Sequence, residues 1–368
     1  MIGLAGKIVR RLAAEARELR RWEALRGPDD IRVYYGMDRL PARNEPVSGG
    51  IVKFLDLAER FPNAAGKANL LYLVSSALPE RRELLARAAH RAGGRVVLNQ
   101  NGVAYPGWAG SSWRRMNTPN ARVHAKADFV VYQSEFCRRC AERFLGARNG
   151  PGEVLYNPVD VDMFSPREGF DRNDRVPVLL AAGSHYEAYR VKIAIEALAI
   201  VRRRGVETRL AVAGRLMWGA DAEAEVWCWA RDAGVADAVE FAGPYSQAEA
   251  PALFRKADVL VHLQVQDSCP RLVVEAMACG LPVVYSATGG TPELVGDGAG
   301  HGIPGVEDFE AIRPPSVEAV ADGVLHVLAD RAAFTRRARE RAVQMFSARD
   351  WVDAHARIFE SLAMGSEK

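Results

Sequence analysis

The sequence predicts an α/β protein made of two doubly wound halves. Three observations carry this. From about residue 30 onward, short apolar runs alternate with stretches of helical period. That alternation marks parallel strands joined by helices on both sheet faces. The length of 368 residues suits two domains rather than one. A segment rich in Pro, Asp and Asn, YNPVDVDMFSPREGFDRNDRVP at 156–177, separates the two alternating halves and has no apolar period of its own. Hydrophobic residues make up 49% and charged residues 26%, which excludes a disordered or collagen-like chain. No run approaches the ~18 apolar residues of a spanning helix.

The elements follow in order. Residues 3–27, GLAGKIVRRLAAEARELRRWEALRG, read as one amphipathic helix. Leu4, Ile8, Leu12, Leu19 and Trp22 fall on one stripe, with Lys7, Arg10, Arg17 and Arg21 opposite. Arginines interrupt the apolar run that a signal peptide needs. The helix fits two roles, packing on protein or lying on an anionic membrane face. The first half then shows strand-like runs IRVYY, NLLYLVSS, RVVLNQ and DFVVYQS, with helices starting near Gly49, Glu80, Ser112 and Ser134. The second half shows strands VPVLLAAG, TRLAVAG, VEFAG, VLVHLQV and PVVYSA. Its helices lie near 190–204, 220–233, 247–257, 270–279 and 316–329. The end, RARERAVQMFSARDWVDAHARIFESLA, reads as two helices broken near Ser347.

Charge and cysteine content narrow the function. Lys plus Arg total 49 and Asp plus Glu 46, a net +3, which excludes a generally basic nucleic-acid binder. Residues 1–26 carry seven basic and three acidic side chains, +4, leaving −1 for the rest. Five scattered cysteines form no disulfide framework and fit a reducing, cytoplasmic compartment. Cys137 and Cys140 have C-x-x-C spacing, but no second pair or His lies near them for zinc. Helix packing explains them.

The stretch VLVHLQVQDSCPRLVVEAMACGLPVVYSATGGTPELV, 259–295, holds the chemistry. A strand ends near Gln266, Asp267 and Ser268 lie in the loop, and Pro270 opens a helix that Gly280 and Pro282 close. Glu275 is the lone carboxylate on an otherwise apolar helix. It either faces solvent or faces a cleft, where it accepts hydrogen bonds from a diol such as ribose. Asp267 stands at the carboxyl end of a strand, where doubly wound sheets bind ligands. Gly289 and Gly290 permit close backbone approach or simply make a turn.

This segment resembles the retaining glycosyltransferases of family 4, with the GT-B fold of two Rossmann-like domains facing across a cleft. Asp267, seven residues, Glu275, then EAMACGLPVVYSATGGTPE match that family's signature. YNPVDVDMFSP resembles its interdomain linker, and VEFAGPYSQAEAPALFRKADVLVHLQ its preceding strand–helix–strand. Residues 155–345 carry the likeness; the first half matches in outline. The resemblance implies an acceptor domain at 27–160, with 347–368 packing back on it, and a nucleotide-sugar domain at 161–346. It implies that Glu275 holds the nucleotide ribose and that Asp267 lies near the donor sugar. Ser268, Cys269, Pro270, Arg271 and Leu272, with Gly289, Gly290, Ser184 and Tyr245, complete the implied donor site. In the family an Arg and a Lys neutralise the leaving diphosphate. Here Ser184 stands at the Arg position, and Arg190 or Lys192 lies near the Lys position; both also fit a solvated helix start.

On the acceptor or phosphate side the resemblance points to Gly49, Gly50 and Asn101. Asn99 and Asn101 replace a sugar-touching His of some members. Tyr105 and Trp108 fit either acceptor stacking or aromatic packing. DVD at 160–162 reads as linker, and GDGAGHG at 296–302 is no dinucleotide fingerprint.

The expected activity is transfer of a sugar from a nucleotide-sugar to a hydroxyl of a glycan, glycolipid or small molecule, with retention. No metal or other cofactor and no nucleic-acid partner are expected. Residues 1–26 are a possible contact with the inner membrane face. A nucleotide-sugar-binding protein without transferase activity, and a GT-B nucleotide-sugar epimerase, are the alternatives. The epimerase needs carboxylate or His pairs at the sugar, and the expected loops show no His.

Overall fold

The computed structural model describes residues 13, 16, 18–42, 45, 49–166 and 175–365. The chain divides into two compact units. Unit 1 comprises residues 1–155 and 349–368, and unit 2 comprises Tyr156–Ala348. The division falls at Leu155/Tyr156, five residues before the junction read from the sequence.

Unit 1 holds a five-stranded parallel sheet in the order β1 (Val33–Tyr34), β2 (Leu70–Val74), β3 (Arg95–Gln100), β4 (Phe129–Tyr132) and β5 (Gly152–Val154). The short β5 was not read from the sequence. Successive side chains of a strand point to opposite faces, and the burial follows this. Leu71, Leu73, Val96, Leu98 and Val130 pack into one core with helices Arg82–Arg91, Trp113–His124 and Glu135–Leu145. Leu70, Tyr72, Val74, Val97 and Val131 pack into the other with helix Gly49–Ala58 and the last helix, Ala348–Met364. Both faces are covered, which is why β2 reads as a continuous apolar run.

That second core contains a polar chain. Asn99 Nδ2 donates to Tyr72 Oη at 3.1 Å. Tyr72 Oη lies 2.9 Å from His355 Nε2, and His355 Nδ1 lies 2.9 Å from Trp351 O. The chain is satisfied if Tyr72 donates to Nε2 and the ring proton sits on Nδ1. Asn99 Oδ1 accepts from Lys53 Nζ at 3.2 Å and Gln133 Nε2 at 3.1 Å. Asn99 is therefore committed to the core.

Leu4, Ile8, Leu12, Lys7, Arg10 and Arg17 lie outside the described residues. The end of their segment docks on unit 1. Trp22 bridges Ala68 in parallel and meets Tyr34 edge-on at 6.0 Å. Arg21 lies over the Tyr34 ring at 4.2 Å, pairs with Asp38 at 2.7 Å and donates to Ala65 O. Glu18 is buried between Arg21 and Arg81. Of the two roles read for residues 1–26, packing on protein is the one seen over the final third. Trp22 is covered by protein, and Arg21 is spent on protein partners.

Unit 2 holds a six-stranded parallel sheet. Its order is β11 (Gly300–Ile303), β10 (Val283–Ser286), β9 (Val259–His262), β6 (Val178–Ala182), β7 (Arg209–Ala213), β8 (Val239–Gly243). The chain builds outward from β6 to β8, then returns to the other side of β6 with β9. The reversal between β6 and β9 is where such sheets open a crevice at the strands' carboxyl ends. β11 comes from GHGI, which overlaps the Gly-rich GDGAGHG stretch, and was not read from the sequence. It pairs with β10 through its backbone, so glycines suffice. The DVD motif is a turn. Asp160 Oδ1 accepts the backbone N–H of Asp162 and of Met163, each at 3.0 Å.

Candidate active site

The loops after β6 and β9 meet at the reversal. Gly183 and Ser184 follow β6, and helix Tyr189–Arg203 begins five residues later. Arg190, in its first turn, is 7% exposed, and its Nη1 donates to Ser184 O at 2.9 Å. Its buried Nε has no hydrogen-bond partner, and among the described residues it forms no ion pair. Burial pulls its pKa below the ordinary arginine value, opposed by Tyr189 and Asp267. A buried guanidinium with one neutral acceptor is costly. Lys192 is not brought to this group. It lies half-exposed beside Glu196 at 3.9 Å, with Trp229 under it.

β9 ends at His262. The ring is fully enclosed, burial lowers its pKa against the opposing Asp267, and neither nitrogen has a hydrogen-bond partner among the described residues. Nε2 stops 3.6 Å from the Asp267 carboxylate, beyond a hydrogen bond. The loop after His262 is fixed from several sides. Val265 N donates to Tyr189 Oη at 3.1 Å and Gln266 N to Thr288 Oγ1 at 3.0 Å. Gln266 takes φ +53, rare for a residue with a Cβ. Its Oε1 accepts from Asp308 N at 2.8 Å, while its Nε2 is buried without a partner.

Asp267 O accepts from Gly290 N at 2.7 Å, and its Oδ1 accepts from Cys269 N at 3.3 Å. Gly289, at φ +75, lies against this loop. A Cβ there would sit 2.5 Å from Asp267 O and 2.7 Å from Gln266 Cα. The glycine is required by close backbone packing, not only by a turn.

Helix Arg271–Ala278 follows, with Pro270 just before it. Glu275 faces inward, 5% exposed, and its Oε1 accepts from Arg271 Nε and Gln247 Nε2, each at 2.8 Å. The solvent-facing alternative for Glu275 is thereby removed. Tyr245 stands close by: burial raises its pKa, Glu275 adds to the rise and Arg190 opposes it. Cys269 O is held by Asn157 Nδ2 at 2.6 Å, so the segment after β5 braces the Ser268–Cys269 turn. Leu272 packs toward Gly183.

In unit 1, Asn101 Nδ2 donates to Ser76 Oγ at 2.7 Å and Asn101 N to Ser75 Oγ at 2.8 Å. A Cβ on Gly50 would sit 2.5 Å from Ser76 Oγ, so the bare helix start lets Ser76 reach Asn101. Asn101 Oδ1 is buried with no partner. Gly49 has nothing within 4 Å of where its Cβ would stand and cradles nothing of the protein. The single Cys137 S–H is shared between Gln100 O at 3.1 Å and Asn101 O at 2.8 Å, bracing the same loop. Tyr105 and Trp108 pack against one another at 6.5 Å, with Trp108 half exposed.

Three site residues went unread in the sequence. His262 had a signal, a polar residue inside an apolar strand run. Gln247 and Gln266 had none, because each acts through a partner distant in the chain. Among the described residues, Arg190 Nε and Gln266 Nε2, with both nitrogens of the His262 ring, have no hydrogen-bond partner. A ligand with several acceptor oxygens and negative charge would satisfy them.

Comparison with known proteins follows the same lines. The family model of glycosyl transferases group 1 matches residues 164–345. A GDP-mannose-dependent alpha-(1-6)-phosphatidylinositol monomannoside mannosyltransferase of Mycolicibacterium smegmatis is 30% identical over 257 residues, 65% of this chain and 64% of that protein. A D-inositol 3-phosphate glycosyltransferase of Nocardiopsis dassonvillei is 28% identical over 197 residues, 49% of this chain and 46% of that protein. The matches thus span under two thirds of the length of these relatives. Among solved structures, Anabaena HepE in complex with UDP-glucose is similar at TM-score 0.68 and 17% identity, covering 90% of this chain and all of that one. Sucrose-phosphate synthase from Thermosynechococcus elongatus is similar at TM-score 0.63 and 17% identity, covering 85% and 77%. The two parallel-sheet, Rossmann-like units have the GT-B fold.

Proposed function

We propose that the chain, whose residues 164–345 match the family model of glycosyl transferases group 1, transfers a sugar from a nucleoside-diphosphate sugar to an acceptor hydroxyl. The observation that carries this is Arg190, a buried cation with no ion pair among the described residues, at the reversal of the unit 2 sheet. The diphosphate sits beside it, with the N-terminus of helix Arg271–Ala278 adding favourable dipole. Glu275, held by Arg271 and Gln247, accepts the ribose hydroxyls. Asp267 lies beside the sugar, and Gly289 lets the 288–290 turn close on the Asp267 backbone.

The transfer retains anomeric configuration. The bond from C1 to the phosphate oxygen breaks, the acceptor oxygen bonds C1 on the same face, and the acceptor proton passes to the departing phosphate oxygen. Arg190 stabilises the charge that grows on the leaving diphosphate, which is usually a leading contribution to catalysis. The reaction therefore needs no metal ion, and chelator should leave the rate unchanged. The acceptor is a glycan, glycolipid or small polyol. Two curated relatives are named for inositol-bearing acceptors, which supports the last two. Gly50, Ser76 and Asn101 of unit 1 form the polar group assigned to it.

The test is calorimetry with a panel of nucleotide-sugars, followed by nucleotide release with inositol, glycan and glycolipid acceptors. Glu275→Ala should weaken donor binding at least tenfold, since it removes a carboxylate bonded to both ribose hydroxyls. No donor bound by the parent chain, or unchanged affinity in the variant, refutes the reading. The His262–Asp267 pair favours a second reading, the GT-B epimerase. That reading predicts acceptor-independent conversion of the donor sugar. We also propose that the basic residues before Glu18 touch anionic membrane. Removing residues 1–12 should abolish co-sedimentation with phosphatidylserine vesicles; equal pelleting of both chains would exclude this.

A further inference from the structure

Helix Tyr189–Arg203 turns a second surface away from Arg190. Lys192, two residues on and about 200° around the helix, lines a cavity of about 470 Å³ with Glu196, Arg203, Trp229, Asp232 and Glu318. Its walls come from this helix, helix Ala222–Asp232 and the start of helix Val317–Ala329. Trp229 is held in place by Trp218. The two indoles stack at 5.9 Å and 24°, and Trp218 Nε1 donates to Glu225 at 3.0 Å. None of these residues takes part in the site at the sheet reversal.

We propose that this cavity is a separate saccharide-binding site, and the chemistry of its lining names the ligand class. Three carboxylates accept hydrogen bonds and two cations donate them, around one indole and an aliphatic floor of Ala199, Ile200, Ala233 and Val317. Acids outnumber bases, which disfavours phosphates, nucleotides and anionic lipid. A purely apolar ligand would leave the hydrogen-bonding capacity of the five charged groups on the rim unused. A neutral polyhydroxylated ring satisfies all of them. Its C–H face lies on the aromatic ring, and its hydroxyls serve as both donors and acceptors to the charged rim. The volume lies within the range of small-ligand pockets, roughly 300–1,000 Å³, and admits one or two sugar rings. Lys192 and Glu196, 3.9 Å apart and each partly exposed, can grip neighbouring hydroxyls from opposite sides. The site stands whether or not the chain transfers sugar.

The test follows the indole N–H resonances of the full chain during titration with methyl α-mannoside and maltotriose, with sodium pyrophosphate as a separate titrant. The Trp229 resonance, identified by its loss in Trp229→Phe, should shift saturably at millimolar saccharide and stay put with pyrophosphate. Trp229→Ala should weaken binding about tenfold or more, as for a central aromatic anchor. Because that change also removes packing from Trp218, the rim pair Asp232→Asn with Glu318→Gln is the second variant. It should weaken binding at least threefold with an unchanged unfolding midpoint. UDP and GDP affinity should be the same in every variant, which separates this site from the donor site. No saccharide shift at Trp229, a shift with pyrophosphate instead, or full affinity in both variants would overturn the proposal.

Discussion

Replacing Arg190 by Met should damage catalysis and strengthen the fold at once. The guanidinium is 7% exposed, bonded to one neutral carbonyl at 2.9 Å, and burial already lowers its pKa. At ~4 Å from a diphosphate and an effective dielectric of ~20, one unit charge contributes about 4 kcal/mol. Losing it should lower kcat by about 10²–10³, the range for deleting one preorganised oxyanion donor. In the free protein the balance reverses. Removing the charge relieves a desolvation cost of several kcal/mol and forfeits one hydrogen bond of about 1 kcal/mol. Met fills similar space, so a net gain of about 1–2 kcal/mol is expected. For a unit of this size that raises the midpoint by roughly 2–8 °C. Steady-state nucleotide release and thermal unfolding without ligand measure the two effects. If kcat stays within threefold and the midpoint falls, Arg190 is a structural residue and the leaving-group assignment fails.

Gly289→Ala forces a Cβ to within 2.5 Å of Asp267 O at φ +75; the left-handed backbone alone costs about 1–2 kcal/mol. Donor affinity, read by calorimetry, should fall more than tenfold, and unchanged affinity would show that the 288–290 turn is remote from the ligand. Burial lowers His185 and His355 from 6.5 to about 3 and His124 to about 4. Folded pKa values below unfolded ones mean that their stabilisation is complete above pH 6.5 and is lost as pH falls toward 3–4. Urea unfolding between pH 7 and 4.5 should show stability falling by up to about 1.4 kcal/mol per pH unit for each histidine. His355→Gln should reduce that slope by one proton; an unaltered slope would mean that His355 does not set it.

Much of unit 2 was legible because its information is local. Strand runs, the Pro270 and Gly280 boundaries and the Asp267–Glu275 spacing lie within one stretch of 37 residues, 259–295. Period and spacing encode such features directly. Less was legible where local signals compete or are weak. β11 arises from GHGI, whose glycines resemble a loop until β10 supplies a hydrogen-bonding edge. Residues 18–25 share the period of a free amphipathic helix, yet Trp22 and Arg21 are claimed by Ala68, Tyr34 and Asp38 of unit 1.

Residue types and spacing alone established two α/β halves, the family likeness and the carboxylate pair. They named Arg190 or Lys192 for the phosphate, with Arg190 preferred, and left a solvated helix start as the alternative for both. Tertiary structure separated them through helix phase. One side chain turns into the sheet reversal and the other toward Trp229. It also gave Glu275 its inward face through Gln247, and placed His262 beside Asp267. These relations depend on β9 returning to lie against β6. That pairing is non-local, and no pattern within a single helix or strand encodes it.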